Sequence, residues 1–432
     1  MRADPPDTLI RGARLIDPAS DTDQMADLLI RGGEIADFGP ALGAPDGVEI
    51  VEAEGAVLCP GLVDMRAALG EPGYEYRETI ASAAEAAAAG GITTLIALPD
   101  TQPAIDEPAL ARLLVARGEE TGSLTILPYG AVTRGCEGAE LAELGLLHEA
   151  GAVAFSDGAH AIGSIRLMRL ALSYARGFGM RIVQHPEDPE LASGGAATEG
   201  ELATRLGLPA IPAAAEAIMV ARDIRLAKLT GGAVHFAHVS TAEALALIRR
   251  AKEDGIAVTC DTAPPYFDLN ETGIGEYRTY AKLSPPLRTE ADRLAVVAAL
   301  ADGTIDAVAS DHQPRDADDK RLPFAQAAPG GAGLATLLAV SLVQVHNEAL
   351  SLPRMLGLLT AGPAALLGLE AGRITRGKPG DLCLFAPERA WKVSAGHLPG
   401  KAQNTPFDGR ALEGVVLGTW KAGRRVYAGA AH

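Results

Sequence analysis

Three residues near the ends of short apolar runs have side chains that suit a divalent metal. His185 and His238 lie at or near the ends of two such runs, and Asp311 closes a third. Imidazole nitrogens and carboxylate oxygens are common ligands of zinc and related cations. A carboxylate beside a metal-bound water could also act as a general base. These residue types therefore favour a metal site, provided that the fold brings them together.

Other ionisable residues also end apolar runs, and each has a simpler interpretation. A lone strand histidine is more often a hydrogen-bonded core residue than a ligand. His235 and His238 would point to opposite faces of a strand, so only one could face a site. Asp311 and His312 could form a turn with an aspartate cap. The remaining candidates at run ends are Asp64, Arg66, Asp100, Asp157 and Glu187.

The elements that would position these residues alternate in type. From Val57 onward, apolar runs of strand length alternate with helix-forming segments rich in Ala, Leu, Glu and Arg. The predicted strands are 57–64, 92–98, 124–131, 152–156, 181–185, 233–239, 257–262 and 307–311. The predicted helices include 78–90, 139–150, 163–177, 213–229, 241–254 and 291–302, with more in 333–368.

Eight strand–helix units predict a TIM barrel, the (β/α)8 fold, whose functional residues lie at the carboxyl ends of the strands. A doubly wound α/β sheet is the alternative. The strand count and the lack of a Gly-rich phosphate-binding sequence disfavour it.

The two ends of the chain differ from the middle and resemble each other. Residues 8–57 read as short strands with a hairpin at Gly32 and Gly33, and the strand rhythm returns after Gly368. We therefore predict a small β-sandwich made from residues 1–56 and 369–432, attached to a barrel of residues 57–368.

Composition limits the classes of partner. The formal net charge of −17 disfavours a nucleic-acid partner, because phosphate binding needs a basic face. No apolar run reaches the ~20 residues of a membrane span, and the start of the chain lacks the pattern of a secretory signal. The cysteines are widely spaced, which favours a reducing cytoplasm over a disulfide framework or a zinc ribbon. They are Cys59, Cys136, Cys260 and Cys383.

Beyond these patterns, the chain resembles the dihydroorotases of the amidohydrolase superfamily. The similarity is to the bacterial type related to the dihydroorotase region of the animal multifunctional pyrimidine protein, and it runs nearly end to end. It is carried by PGLVDM (60–65), EPGYEYRETIASAA (71–84), GGITTLIALPDTQP (90–103), AVAFSDG (152–158), IVQHPED (182–188), EGELATRLGLPAIPAAAEAIMVARDI (199–224), HFAHVSTAEAL (235–245), KLSPPLR (282–288), SDHQP (310–314), LPFAQAAPGGAGLAT (322–336), GKPGDLCLF (377–385) and NTPF (404–407).

The resemblance implies a barrel flanked by a β-sandwich of both termini. It also implies a place in de novo pyrimidine synthesis, where dihydroorotase interconverts N-carbamoyl-aspartate and dihydroorotate over zinc. By the same resemblance, Asp157 corresponds to a bridging carboxylate, His185 and His238 to histidine ligands, and Asp311 to the catalytic aspartate. The segment 313–333 corresponds to a mobile active-site loop, and His312 and Arg315 are assigned to that loop.

The chain departs from the family where its chemistry lies. In the family motif D-x-H-x-H-x-R-E-P-G, both histidine ligands are replaced, by Arg66 and Ala68. The arginine that clamps the substrate carboxylate is Gly70, and the asparagine of M-P-N-T-x-P is Asp100.

Two further family positions differ. Ser284 stands in place of the asparagine before the PPLR sequence, and Arg315 in place of the last histidine of D-H-A-P-H. The histidine of the family's TPHH-type stretch is also missing from 263–267.

One substitution suggests a replacement for the metal. Arg66 adds a fixed positive charge where a dication would sit, next to the expected positions of Asp157 and Asp311. Bidentate hydrogen bonds from its guanidinium could tie these strand ends together. The alternative is that Arg66 turns outward into the open barrel mouth.

Two functions stay open from the sequence. The first is a non-catalytic protein without a cofactor, forming a homo-oligomer or acting as a structural partner of aspartate carbamoyltransferase, as inactive members of the family do. The second is an active zinc hydrolase in which His185, His238 and Asp311 hold one metal, since three protein ligands and a water make a catalytic zinc site. A metal-free ligand-binding module is a third reading, for which the sequence gives no positive sign. The loop cations, including Lys320 and Arg321, could bind an anion or a partner.

Overall fold

The computed structural model describes residues 5–429, which form a barrel and an outer sheet. Eight parallel strands pair in sequence order around the barrel, so the predicted fold is confirmed. From first to eighth, the barrel strands are Leu62–Ala67, Ile92–Ala97, Thr125–Ala131, Ala154–Ser156, Arg181–Gln184, Ala233–Phe236, Val258–Thr262 and Ala307–Val308.

The first and eighth strands meet through isolated contacts rather than a continuous ladder. Ala67 forms a single parallel bridge with His312, and the backbone N–H of Ala68 donates to the His312 carbonyl at 2.8 Å. The backbone N–H and the hydroxyl of Ser310 both donate to the carboxylate of Asp64. Side chains therefore complete the seam of the barrel, where the eighth strand has only two residues.

Helices cover the outside of the barrel. The longer ones are Ile80–Ala89, Pro108–Thr121, Ile165–Arg176, Ala214–Thr230, Ala242–Glu253, Glu290–Asp302, Leu337–His346 and Leu352–Leu359. Shorter helices are Leu144–Glu149, Pro189–Ala192, Glu201–Leu206, Pro264–Asp268, Ala317–Arg321 and Ala361–Leu366.

Sequence signals explain where these helices begin and end. The hydroxyl of Thr241 accepts from the backbone N–H of Ala244 and so caps helix Ala242–Glu253. At the other end, Gly255 lies one residue beyond the Asp254 cap with φ of +72°, which favours glycine. The helix predicted at 139–150 is shorter, because Leu141 forms a β-bridge with Thr133 and leaves only Leu144–Glu149 helical.

The two ends of the chain join in one outer sheet, where the sequence predicted a small β-sandwich of both ends. Its strands are Thr8–Asp17, Thr22–Arg31, Glu34–Gly39, Glu49–Glu52, Val57–Pro60, Leu382–Lys392, Ala411–Lys421 and Arg424–Ala428. Val57–Pro60 pairs in parallel with Thr8–Asp17 and antiparallel with Leu382–Lys392, and so joins the two ends.

The strand predicted at 57–64 is therefore two strands. Val57–Pro60 belongs to the outer sheet, and Leu62–Ala67 opens the barrel. Gly61 connects them where a Cβ atom would lie 2.1 Å from the Thr93 hydroxyl, so only glycine fits this close passage. Across the described residues, none of the helices has the length and hydropathy that a bilayer crossing requires.

Candidate active site

Arg66, at the end of the first barrel strand, points into the barrel. Its side chain is 1% exposed, and its Nε donates to Asp311 Oδ1 at 2.8 Å. Its Nη2 donates to the carbonyl of Gly158 at 3.1 Å, while Nη1 is buried without a hydrogen-bond partner among the described residues. The guanidinium thus links the first strand to the fourth and eighth strand ends.

This geometry differs from the sequence expectation in two respects. The contact with Asp311 uses one nitrogen and one oxygen and is not bidentate. The second predicted partner, Asp157, gives way to the carbonyl of its neighbour Gly158. The outward orientation of Arg66 is excluded by its burial.

Arg66 and Asp311 each stabilise the charged form of the other. Burial opposes the guanidinium charge, but Asp311 and Asp261 hold the pKa of Arg66 above its ordinary value. Burial also raises the pKa of Asp311, against the effect of Arg66 beside it. Since a guanidinium stays charged at any pH that proteins tolerate, the barrel mouth carries a permanent cation here.

His185 and His238 lie together, as their positions at adjacent strand ends predict. His185 Nδ1 and His238 Nε2 are 3.0 Å apart, so the two rings hydrogen-bond directly to each other. Burial, reinforced by the nearby Arg66, lowers the pKa of His238 well below its ordinary value and keeps that ring neutral. One ring nitrogen of each histidine, which could otherwise bind a metal, is therefore occupied by this hydrogen bond.

Asp157 binds the segment that follows the third barrel strand instead of facing the barrel centre. Its Oδ1 accepts from the backbone N–H groups of Val132 and Thr133, both at 2.9 Å. Its Oδ2 accepts from the Thr133 hydroxyl at 2.6 Å. Both oxygens are thus satisfied within the protein. Burial nevertheless raises the pKa of this carboxyl, against these hydrogen bonds.

The positions that would hold substrate in the family are arranged differently here. Asp100 accepts a hydrogen bond from the backbone of Ala159 at 3.1 Å. The hydroxyl of Ser284 donates to Glu187 Oε2 at 3.3 Å. Gly70 adopts φ of +71°, in a turn where an added Cβ would lie 2.5 Å from the Glu78 carbonyl. The sequence predicted that these three positions belong to the site, but it did not predict the contacts that they make here.

Glu187 connects the histidine pair to a second buried arginine. Its Oε2 lies 3.7 Å from His185 Nε2, and its Oε1 lies 4.0 Å from Arg288 Nη2. Burial would raise the pKa of Glu187, but His185 and Arg288 together hold it below its ordinary value. The carboxylate is therefore ionised at neutral pH.

His312 and Arg315, predicted as residues of a mobile loop, both make hydrogen bonds within the protein. His312 is 2% exposed, its Nδ1 accepts from the Gly333 backbone, and its Nε2 lies 3.5 Å from Glu78 Oε2. Arg315 donates from Nε to the Pro329 carbonyl at 2.7 Å. His312 thus lies at the seam of the barrel, where it forms the bridge with Ala67.

Asp261, in the seventh strand, is a site residue that the sequence analysis missed. Its Oδ2 binds His235 Nε2 at 2.9 Å, and its Oδ1 accepts from the backbone N–H of His238 at 2.6 Å. His235 also contacts the Thr259 hydroxyl and is a fully paired core histidine. The sequence signal that could have identified Asp261 is a carboxylate within the predicted strand, in VTCDT.

A cavity of about 240 Å³ opens at the barrel mouth near these residues. Its walls include Gly70, Asp100 and Arg315, but none of the residues predicted as metal ligands. Asp311 instead lines a separate space of about 10 Å³, beside Pro264 and Leu283. A molecule in the larger cavity is thus not in contact with Asp311.

The zinc centre implied by the family does not fit this arrangement. Within residues 5–429, no group of three or more His, Cys, Asp or Glu side chains is placed to hold a metal. Arg66 directs a cation at Asp311, and the oxygens of Asp157 are occupied. The residues that remain from the family's ligand set make other bonds.

A family model described as "Dihydro-orotase-like" matches residues 55–244. A relative from Pelobacter propionicus, named dihydroorotase, is 45% identical and covers 97% of this chain and 99% of that protein. Another from Geobacter sulfurreducens, also named dihydroorotase, is 43% identical with the same coverage.

Solved structures give the same fold. The L-hydantoinase (dihydropyrimidinase) of Arthrobacter aurescens matches with a TM-score of 0.87 and 25% sequence identity, over 98% of this chain and 96% of that one. Because full-length relatives named dihydroorotase share more than two-fifths of its residues, this chain belongs to the dihydroorotase family of the amidohydrolase superfamily.

Proposed function

We propose that this protein serves pyrimidine biosynthesis without catalysing the metal-dependent reaction, as a structural partner of aspartate carbamoyltransferase. The observation that carries the proposal is the buried contact of Arg66 with Asp311. A guanidinium compensates the carboxylate that a metal site would otherwise need, and it does so without a cofactor.

Electrostatic magnitudes support a replacement of the metal. Two unit charges 4 Å apart interact by about 4 kcal/mol at an effective dielectric constant of 20. A dication entering beside Arg66 would be repelled by an even larger amount, because its charge is double. Binding would therefore require Arg66 to leave the barrel, which would break its hydrogen bonds to Asp311 and to the Gly158 carbonyl.

The lack of access to Asp311, which corresponds to the family's catalytic aspartate, supports the same proposal. The cavity that could admit a ligand does not reach Asp311, Arg66 or the two histidines. A general base must lie within hydrogen-bond reach of the proton that it removes. Asp311 is instead committed to Arg66 by a charge-assisted hydrogen bond.

The retained barrel supports a role for the protein surface. The strands, the helices and the buried core are complete, while the changes relative to the family motifs cluster at the barrel mouth. We infer that the outside of the molecule carries the function, either in a homodimer or in a mixed assembly with the transcarbamoylase.

Metal content and activity test the first half of the proposal. Protein purified without chelators is expected to contain far less than one zinc per chain, and to show no turnover of dihydroorotate with or without added zinc. Inductively coupled plasma mass spectrometry and a spectrophotometric assay give the two readouts. Stoichiometric zinc accompanied by turnover would contradict the proposal.

Assembly tests the second half. Co-expressed with the aspartate carbamoyltransferase of the same cell, the protein is expected to elute with it as one complex in size-exclusion chromatography with light scattering. Transcarbamoylase prepared without this chain should assemble poorly or lose activity. Separate elution at micromolar concentration, with full transcarbamoylase activity, would show that the partnership is wrong.

The competing function is an active zinc hydrolase, and the names of the full-length relatives favour it. It would need His185, His238 and Asp311 to turn toward a common point. The direct bond between the two histidines would then have to break. The metal and turnover measurements above distinguish the two functions.

A further inference from the structure

The cavity at the barrel mouth is lined by two arginines that lack strong carboxylate partners. Arg77 and Arg315 both face it, together with Tyr74, His160 and Gln313. Asp100 is the carboxylate in the same lining, and one of its oxygens already accepts from Ala159. The cavity therefore has more cationic than anionic side chains in its walls.

Arg315 is fixed in place without neutralisation of its charge. Its Nε donates to the Pro329 carbonyl at 2.7 Å, and its backbone N–H donates to Asn404 Oδ1. Among residues 5–429 it forms no ion pair within 4.0 Å. A carbonyl fixes the side chain on one edge, so the other edge of the planar guanidinium is available to an oxyanion.

Arg77 is held by aromatic rings instead of by a close ion pair. Its guanidinium carbon lies 4.7 Å from the centre of the Tyr74 ring and 5.1 Å from that of Tyr76. Its nearest carboxylate oxygen, Asp319 Oδ2, is 3.7 Å away, and Nε has no hydrogen-bond partner among the described residues. Stacking positions the charge while leaving its N–H groups largely unused.

The geometry points to a binding site for a small oxyanion, a phosphate or carboxylate group, held between Arg77 and Arg315. Planar guanidinium groups bind both kinds of oxyanion through paired hydrogen bonds. The cavity volume of about 240 Å³ is below the ~300–1,000 Å³ of typical drug-sized ligand sites, so the ligand is a small metabolite.

This inference rests on the proposed function in one respect: with neither Asp311 nor the predicted metal ligands in contact with the cavity, the ligand is bound and released unchanged. The site would then report the concentration of an anionic metabolite to the assembly. Its location differs from that of Asp311, so binding and turnover are separate properties of the molecule.

Calorimetric titration of the full chain with inorganic phosphate and, separately, with succinate tests the site. In buffer of low ionic strength, at least one of the two is expected to bind with Kd below about 1 mM. Saturation by phosphate alone indicates a phosphorylated metabolite, and saturation by succinate alone a carboxylic acid. Saturation by neither overturns the proposal.

Variants locate the bound anion. R77Q and R315Q should each weaken binding roughly 10-fold or more, because each removes charge-assisted hydrogen bonds. D100N should tighten binding, since it removes the opposing charge from the lining. R250Q is the matched control, because the Arg250 side chain is 74% exposed on helix Ala242–Glu253.

Two variants guard against misfolding as an explanation. Arg77 contacts rings at the surface of the cavity, so R77Q should unfold at the same temperature as the parent protein, whatever happens to R315Q. Binding by folded R77Q and D100N with unchanged affinity overturns the proposal. If the bound ligand is recovered chemically altered by mass spectrometry, the proposed lack of catalysis fails, while the binding site stands.

Discussion

Replacement of Arg66 by methionine is expected to lower the free energy of unfolding by about 3–5 kcal/mol, the usual effect of removing one partner of a buried ion pair. The substitution leaves the carboxylate of Asp311 without a cation and the Gly158 carbonyl without a donor. It also removes the side chain that crosses the seam between the first and eighth strands. Urea unfolding followed by circular dichroism measures the change.

A double-mutant cycle separates the ion pair from the packing. R66M/D311L replaces both charges with apolar side chains, and should recover much of the loss because no buried charge is left alone. R250M, on an exposed helix face, should change stability by less than about 0.5 kcal/mol. A loss below about 1 kcal/mol in R66M would mean that Asp311 does not depend on this arginine.

Gly70→Arg, which restores the residue found in the family motif, is expected to destabilise the protein by about 2–5 kcal/mol, from backbone strain and overpacking together. The backbone at Gly70 has φ of +71°, which side chains of L-residues rarely adopt. An added Cβ would lie 2.5 Å from the Glu78 carbonyl oxygen and 2.9 Å from that of Tyr74. The shift of the thermal midpoint measures the effect.

Another glycine of the chain provides a control for the cost of a positive φ alone. Gly179 has φ of +68°, and an added Cβ there meets no atom within 4 Å. G179R should therefore carry only the conformational penalty, of about 1–2 kcal/mol. If G70R is no less stable than G179R, the turn at residue 70 can rearrange, and the family's carboxylate clamp could be regained in one step.

The barrel could be predicted from the sequence because each strand is a continuous apolar run between turn residues. Strand ends were harder to place. The eighth strand was predicted as 307–311 and is only Ala307–Val308, because Asp311 adopts a positive φ of +47° and turns its side chain toward Arg66. The strand predicted at 57–64 divides at Gly61, where a contact from the second barrel strand requires glycine.

The contacts in the site could be predicted only where they follow from the direction of the barrel strands. The meeting of Arg66 with Asp311 follows from the convergence of strand ends in a barrel. The hydrogen bonds of Asp157 to residues 132 and 133 depend on the path of a loop, and the direct contact of His185 with His238 depends on rotamers. Neither contact can be predicted from the spacing of residues in the sequence. The contacts of Asp261 with His235 and His238 could not be predicted from it either.

Strand Val57–Pro60 has a consequence for how the molecule folds. It lies between Thr8–Asp17 and Leu382–Lys392, so it joins two strands that flank the whole barrel in sequence. Pairings this distant in sequence form slowly, because a long loop must close before they contribute. During translation the early strands carry an open edge of unpaired backbone groups, which is prone to pair with other chains. A ribosome that stops before residue 382 would therefore release a chain whose barrel strands are complete and whose exposed edge invites aggregation.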